Sequence, residues 1–216
     1  MTLKYYQDNA QTFFDGTVNV DMSSLYETFT QHLAPGARVL DAGCGSGRDA
    51  KAFLEMGYQV KAFDASLAMV ELAREHTGLP VKVMSFADVD WKEEFDGIWC
   101  CASLLHVPAV ELPGVMRSLA DALKPGGVWY VSFKYGDGER EVDGRRFTDM
   151  DEERLEALVA AIAGIEMVEM WITRDKRPGR DESWVNGVLR KGEPILSNFS
   201  YVQSVLCKHM LENIEK

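Results

Sequence analysis

The segment Val39-Leu40-Asp41-Ala42-Gly43-Cys44-Gly45-Ser46-Gly47 constrains the fold of this chain more than any other stretch. An apolar run of strand length ends beside an acid. Three glycines follow at every second position, and a helical stretch opens at Gly47 and stops at Gly57. Glycines in such a strand-to-helix turn allow a tight reversal and let backbone N–H groups approach a bound group closely. The spacing is GxGxG, not the GxGxxG of dinucleotide-binding turns. No GK[ST] follows, so the segment is not a phosphate-binding P-loop either.

The surrounding pattern extends this unit. Strand-length apolar runs fall at 37–40, 58–63, 81–85, 95–101 and 128–133, with a hairpin-like pair at 166–173 and 183–190. Helical stretches lie between them. One runs from Leu67 to His76 behind the N-cap Ser66, and one ends near Leu123. A third runs to Ala163, where Thr148-Asp149-Met150-Asp151 reads as a capping box with Asp in the Glu position. Ser24 and Glu27 read as a box opening a helix to Leu33. Strand–helix alternation of this kind predicts an α/β fold with a parallel sheet covered by helices on both faces. The stretch from Lys134 to Phe147 is longer than a minimal strand–helix turn and reads as a functional loop.

At 216 residues the chain is long enough for one domain with its own core. Lys and Arg number 23 against 34 Asp and Glu, a formal charge of −11. That acidity weighs against long nucleic acids and anionic membranes as partners. The cysteines Cys44, Cys100, Cys101 and Cys207 form no CxxC or zinc spacing, so the expectation is free thiols, no metal and a cytoplasmic setting. Met1–Asn9 has no apolar leader core, and no apolar run is long enough to span a bilayer.

Two further acids mark candidate ligand positions. Asp64 ends the second strand, where a carboxylate can accept both hydroxyls of a ribose. Phe86-Ala87-Asp88 follows the third strand, where an apolar side chain and an acid can hold a purine; a turn cap is the alternative for Asp88. Tyr130 and Lys134 match a YxxxK dehydrogenase pair but fall in a predicted strand, about 13 Å apart, where they cannot act together.

VLDAGCGSG, then FDAS at 63–66, FAD at 86–88, and LKPGG before a strand together resemble a class I S-adenosylmethionine-dependent methyltransferase. The resemblance covers about residues 5–191 and is closest to small bacterial members of the tellurite-resistance-like group. It implies a Rossmann-like seven-stranded, mostly parallel sheet with an antiparallel last strand, and S-adenosyl-L-methionine as cofactor. Carried onto this sequence, it implies that Gly43, Gly45 and Gly47 cradle the methionine part and ribose. Asp64, with Ala65 and Ser66, would hold the ribose hydroxyls, and Ala87 and Asp88 would meet adenine. Cys101, Ala102 and Ser103 would lie under the sulfonium. Asp41 would be tied to the loop and the cofactor amine, and Arg48 would either cap the loop or meet the cofactor carboxylate.

The acceptor side is expected after the fourth and fifth strands and in the N-terminal segment. His106 is expected as a base or as an acceptor-orienting group, with a loop-positioning role as the alternative. Tyr5, Tyr6, Phe13 and Phe14 would lid the site. Lys134, Arg145 and Arg146, with the basic stretch Arg174, Lys176, Arg177 and Arg180, would bind an anionic acceptor. The expected function is therefore methyl transfer to a small molecule, an anion being one candidate class, with solvated salt bridges as the alternative for the basic loop residues. The alternatives are a non-catalytic S-adenosylmethionine-binding partner protein and an RNA-modifying methyltransferase. Residues 1–191 form the expected methyltransferase domain and 192–216 a helical tail. In that tail, Phe199, Val202, Leu206, Met210 and Ile214 make an apolar stripe suited to a homodimer contact or to packing on the domain.

Overall fold

The computed structural model describes residues 2–177 and 179–193. Three short helices come first: α1 (Thr2–Asp8), α2 (Ala10–Thr17) and α3 (Ser23–Thr30). The alternating unit follows as β1 (Arg38–Ala42), α4 (Arg48–Glu55), β2 (Gln59–Asp64), α5 (Leu67–Thr77), β3 (Lys82–Val83) and β4 (Phe95–Cys100). Next come α6 (Leu112–Ala122), β5 (Leu123–Lys134), β6 (Gly138–Val142), β7 (Arg145–Asp149), α7 (Glu152–Ala160), β8 (Ile165–Arg174) and β9 (Ser183–Lys191).

Seven strands form one sheet in the order β3-β2-β1-β4-β5-β9-β8. The first five are parallel, and β9 inserts antiparallel between β5 and β8. This is the expected seven-stranded, mostly parallel sheet. Strand order reverses direction between β1 and β4, which opens a crevice at their carboxyl ends, where ligands of open α/β sheets bind.

Alternation along the strands divides the core. Val39, Trp99, Val128, Tyr130 and Val188 pack toward Phe29 of α3 and Phe53 of α4. Leu40, Ile98, Trp129, Val131 and Leu189 pack on the opposite face with Met116 and Leu119 of α6 and Leu155 of α7. Ser66 caps α5 as expected, its Oγ accepting from the Met69 N–H at 3.4 Å, and Gly78 ends that helix in the left-handed conformation.

Three local expectations are corrected. The segment after β5 is not an open loop: β6 and β7 pair as an antiparallel hairpin, Val142 opposite Arg145. Asp143 and Gly144 both have positive φ, 52° and 72°, the two-residue turn whose twist matches hairpin strands. Thr148 and Asp149 therefore belong to β7, and the cap of α7 is Asp151, whose carboxylate accepts from the Arg154 N–H at 2.9 Å. Ser24 and Glu27 form no capping box, because α3 already begins at Ser23, where Asp21 Oδ1 accepts from the Ser23 N–H. The apolar stripe read at 199–214 lies outside the described residues.

Candidate functional site

The turn after β1 is built around backbone conformations that favour glycine. Gly43, Gly45 and Gly47 have φ of 76°, 52° and 76°. They do not share one role. A Cβ on Gly43 would stand 2.6 Å from the Ser103 Cβ, so its absence lets the glycine turn meet the end of β4. A Cβ on Gly47 would stand 2.8 Å from Thr77 Cγ2 and 3.1 Å from the Ala73 Cβ, so Gly47 lets α4 pack on α5. Gly43 and Gly45 line the cavity described next, whereas Gly47 stands behind its wall.

A cavity of about 510 Å³ opens over the carboxyl ends of β1, β2 and β4. Asp64 stands in its wall. Gly45 N–H donates to Asp64 Oδ2 and Ser66 N–H to Oδ1, each at 2.9 Å. Burial pushes this carboxyl up, and the backbone donors of Ser66, Gly45 and Ala65 oppose that. A carboxylate has about four acceptor positions. The backbone donors fill only part of that capacity, which leaves room for the hydroxyls of a ribose. Ala65, Ser66, Phe86 and Ala87 continue this wall.

Asp88 takes a different place from the one expected. Its Oδ2 accepts from the Ser85 N–H and hydroxyl at 2.9 and 2.6 Å, closing a reciprocal cap outside the cavity wall. A short turn after β3 needs its own donors satisfied, and the acid serves that need.

Behind the glycine turn lies a buried charged cluster that the sequence reading missed. Asp49, in the first turn of α4, accepts from Tyr26 Oη (2.5 Å), Trp99 Nε1 (2.8 Å), and Arg48 Nε and Nη2 (2.6 and 3.0 Å). Burial alone would raise this carboxyl. The Arg48 charge and these donors outweigh it and hold Asp49 below the usual carboxylate range. Arg48 also donates to the Thr17 carbonyl at 3.4 Å, so its guanidinium ties the glycine turn to the N-terminal helices while edging the cavity. Asp41, next to this cluster, is buried behind the turn, and its Oδ2 has no hydrogen-bond partner among the described residues. Burial and the nearby Asp49 charge push Asp41 well above the carboxylate range.

Cys101, Ala102 and Ser103 follow β4 into the cavity wall. Ala102 holds φ at 51°, a rare backbone for a residue with a Cβ, and its N–H donates to Ser132 Oγ at 2.8 Å. The buried Ser103 Oγ has no partner among the described residues.

The far end of the cavity collects the acceptor-side candidates. Tyr6, His106 and Lys134 all line it, and Arg145 joins them from β7. Tyr6 Oη lies 2.8 Å from His106 Nε2, and His106 Nδ1 lies 2.7 Å from the Arg146 carbonyl oxygen. Burial holds the imidazole down to about 4, the Arg146 carbonyl opposing and Arg145 and Lys134 adding. Burial likewise pushes the Tyr6 phenol up to about 12, against the pull of Arg145. Lys134 pairs with Glu182 and lies 4.6 Å over the Phe147 ring.

Arg146 takes a different place from the one expected, because side chains of a strand alternate. Arg145 and Phe147 share the cavity face of β7, and the Arg146 side chain leaves on the other, pairing with Glu139 at 3.0 Å. Arg174, Lys176, Arg177 and Arg180 also rim the cavity. Arg177 is neutralised by Asp175, while Lys176 reaches Ser24 Oγ at 3.3 Å.

Of the four aromatic residues expected over the site, Tyr6 and Phe13 line the cavity, and Tyr5 and Phe14 do not. Gln7 Oε1 accepts from Ser66 Oγ and the Ala68 N–H at 3.2 and 3.3 Å, fastening the lid to the Asp64 wall. Among the described residues no cluster of His, Cys, Asp and Glu fits a metal ion, and no helix is long and apolar enough to cross a membrane.

The family model described as a methyltransferase domain matches residues 39–127. The ubiquinone biosynthesis O-methyltransferase of Xanthomonas campestris is 37% identical over 105 residues, covering 45% of this chain and 43% of that protein. The chain thus spans under half the length of the curated relatives it matches. The 1,6-didemethyltoxoflavin-N1-methyltransferase of Burkholderia thailandensis, solved with 1,6-didemethyltoxoflavin and S-adenosylhomocysteine, superposes with a TM-score of 0.72 at 25% identity. That likeness covers 88% of this chain and 85% of the other. A Methanosarcina mazei protein described as a SAM-dependent methyltransferase shares the fold, with a TM-score of 0.68, 18% identity, and 80% and 99% of the two chains covered. These likenesses reach the class, while the tellurite-resistance-like subgroup rests on the sequence resemblance alone. With the glycine turn, the Asp64 wall and the sheet order in place, residues 39–127 match the methyltransferase domain and the whole unit is similar to solved S-adenosylmethionine-dependent methyltransferases.

Proposed function

We propose that this chain transfers the methyl group of S-adenosyl-L-methionine to a small acceptor. The observation that carries the reading is Asp64: a carboxylate held by two backbone N–H groups at the end of β2, with acceptor capacity left over and facing the cavity. When bound, the cofactor supplies an activated methyl group on a sulfonium. The residues present fit it. Asp64 would hold the ribose, Phe86 and Ala87 the adenine, and Gly43 and Gly45 the methionine part. The unpartnered Ser103 Oγ, with Cys101 and Ala102, stands toward the reacting centre.

The protein's own contribution is alignment and exclusion of water. The α1–α2 lid shuts one side of the cavity through Gln7 and Tyr6, and the 174–182 segment borders another. Arg145, whose Nε has no partner among the described residues, and Lys134, paired with Glu182, bring cationic donors to the acceptor end, which suits an anionic or acidic acceptor. Free thiols at Cys44, Cys100 and Cys101 support a cytoplasmic setting, and the apolar stripe at 199–214 supports a homodimer through the tail.

Calorimetric titration with S-adenosylmethionine tests the assignment. Wild-type protein binds, and Asp64→Ala loses at least about a hundredfold in affinity while its circular dichroism spectrum is kept. Unchanged affinity in the variant rejects the cofactor assignment.

A further inference from the structure

The hydrogen bonds around His106 leave it no free nitrogen. Its Nδ1 faces the Arg146 carbonyl oxygen, which only accepts, so Nδ1 carries the proton and donates. Nε2 is then a bare acceptor, and the group beside it, Tyr6 Oη at 2.8 Å, must be the donor. An acceptor molecule in the cavity therefore cannot reach the imidazole directly. It can reach Tyr6, which lines the cavity and whose oxygen, with Arg145 as a donor beside it, keeps one lone pair.

We propose that Tyr6 and His106 form a two-step proton relay for an acceptor whose nucleophile is an acidic hydroxyl or ring N–H on a conjugated ring. This rests on the methyl-transfer reading above. The acceptor's proton passes to Tyr6 Oη as the Tyr6 proton passes to His106 Nε2. The freed electron pair on the acceptor oxygen or nitrogen forms the new bond to carbon. The sulfur–methyl bond breaks, and its pair stays on sulfur. One positive charge thus leaves the sulfur and arrives on the imidazole, which then gives its proton to solvent.

Three observations narrow the acceptor class. The charged groups facing the pair are Arg145 from β7, paired with Asp143; Lys134 from β5, paired with Glu182; Arg177 after β8, paired with Asp175; and Asp64 from β2. The Arg146 carbonyl and the Phe147 ring complete the surroundings. Cations favour an acceptor that is giving up its proton and disfavour a standing imidazolium, so the relay serves ring hydroxyl and ring N–H protons rather than those of aliphatic alcohols or amines. Arg145 lies 4.2 Å over the Tyr5 ring, and its buried Nε has no partner among the described residues, so it offers a charge-assisted donor to an electron-rich ring substituent. Finally, Tyr6 meets Phe13 edge-on at 5.0 Å, and Phe147 lies 5.1 Å from His106, which gives a flat ring apolar walls to lie against.

The test uses the full chain, labelled S-adenosylmethionine and two acceptor pairs of graded acidity: phenol with 4-nitrophenol, and uracil with 5-nitrouracil. At mildly alkaline pH the nitro compounds are already ionised. Tyr6→Phe and His106→Asn are expected to lose about a hundredfold in kcat on the weakly acidic member that reacts, with the KM for S-adenosylmethionine within about twofold. The loss on its nitro partner is expected to stay below about fivefold. The pair that reacts tells oxygen from nitrogen.

A second readout needs neither turnover nor a variant: nitrogen-15 spectra of the wild-type imidazole at neutral pH. The relay requires a protonated Nδ1 and a bare, hydrogen-bonded Nε2. Equal losses across a pair, or a protonated Nε2, overturn it. Calorimetric binding of S-adenosylmethionine without turnover of any of the four compounds overturns the acceptor class. Absence of that binding removes the methyltransferase reading, and the relay with it.

Discussion

Tyr26 on α3 donates its phenolic hydrogen to Asp49 on α4 across 2.5 Å. That bond joins a helix outside the alternating unit to the first turn after the glycine loop. Asp49 balances the buried Arg48 and also accepts from Trp99, so its loss leaves a cation and two donors without partners. Asp49→Asn is therefore expected to cost about 3–5 kcal/mol in urea unfolding, and Tyr26→Phe about 2 kcal/mol. Equal, small effects would mean that the cluster is looser than its geometry.

Gly47 and Gly43 separate stability from binding. Gly47→Ala combines a left-handed backbone with a Cβ 2.8 Å from Thr77 Cγ2, for an expected cost of about 2–4 kcal/mol. Thr77→Ser removes that methyl but keeps the hydroxyl bonded to the Ala73 carbonyl, so the double variant should recover part of the loss. Gly43→Ala presses on Ser103 in the cavity wall instead and should weaken S-adenosylmethionine binding more than it weakens folding. Unfolding curves and calorimetry on the same three proteins decide this.

His106 makes stability depend on pH in a set direction. In the unfolded chain its imidazole titrates near 6.5, and burial holds it down to about 4 in the fold. Between those values the unfolded state binds the proton and the folded state does not. Stability from this group is complete above pH 6.5 and falls as the pH drops toward 4, by about 2 kcal/mol once partial exposure is allowed for. His106→Asn should flatten that part of the curve, as measured by unfolding at a series of pH values.

Gln7 holds the lid to the Asp64 wall through Ser66 and Ala68. Gln7→Ala is expected to leave unfolding within about 1 kcal/mol of wild type while speeding S-adenosylmethionine release about three- to tenfold. Stopped-flow displacement measures the release. An unchanged rate would show that the lid opens independently of this contact.

The glycine turn and the Asp64 wall were legible because their demands are local. A GxGxG turn, an acid at the end of the next strand and an N-cap at Ser66 each leave a mark at fixed spacing. The acceptor half was not, because it depends on register. Val142-Asp143-Gly144-Arg145 carried a hairpin signal, Asp-Gly between strand-forming runs, that the charge alternation around it obscured. Without the hairpin, nothing told Arg145 from Arg146. With it, strand alternation sends one to the cavity and the other to Glu139. Asp49 was passed over for a similar reason: an acid in the first turn of a helix looks like a solvent-facing dipole partner until Tyr26 and Trp99 close over it.

The β6–β7 hairpin leaves the main sheet after β5 and returns at α7, and its two strands pair only with each other apart from the Tyr135–Met150 bridge at its base. Yet it supplies Arg145, Phe147 and the carbonyl that sets the His106 tautomer. On the proposed methyl-transfer reading, acceptor recognition is therefore modular. A hairpin of different sequence or length can be exchanged between β5 and α7 without touching the glycine turn or Asp64, so selectivity can diverge while cofactor use stays the same.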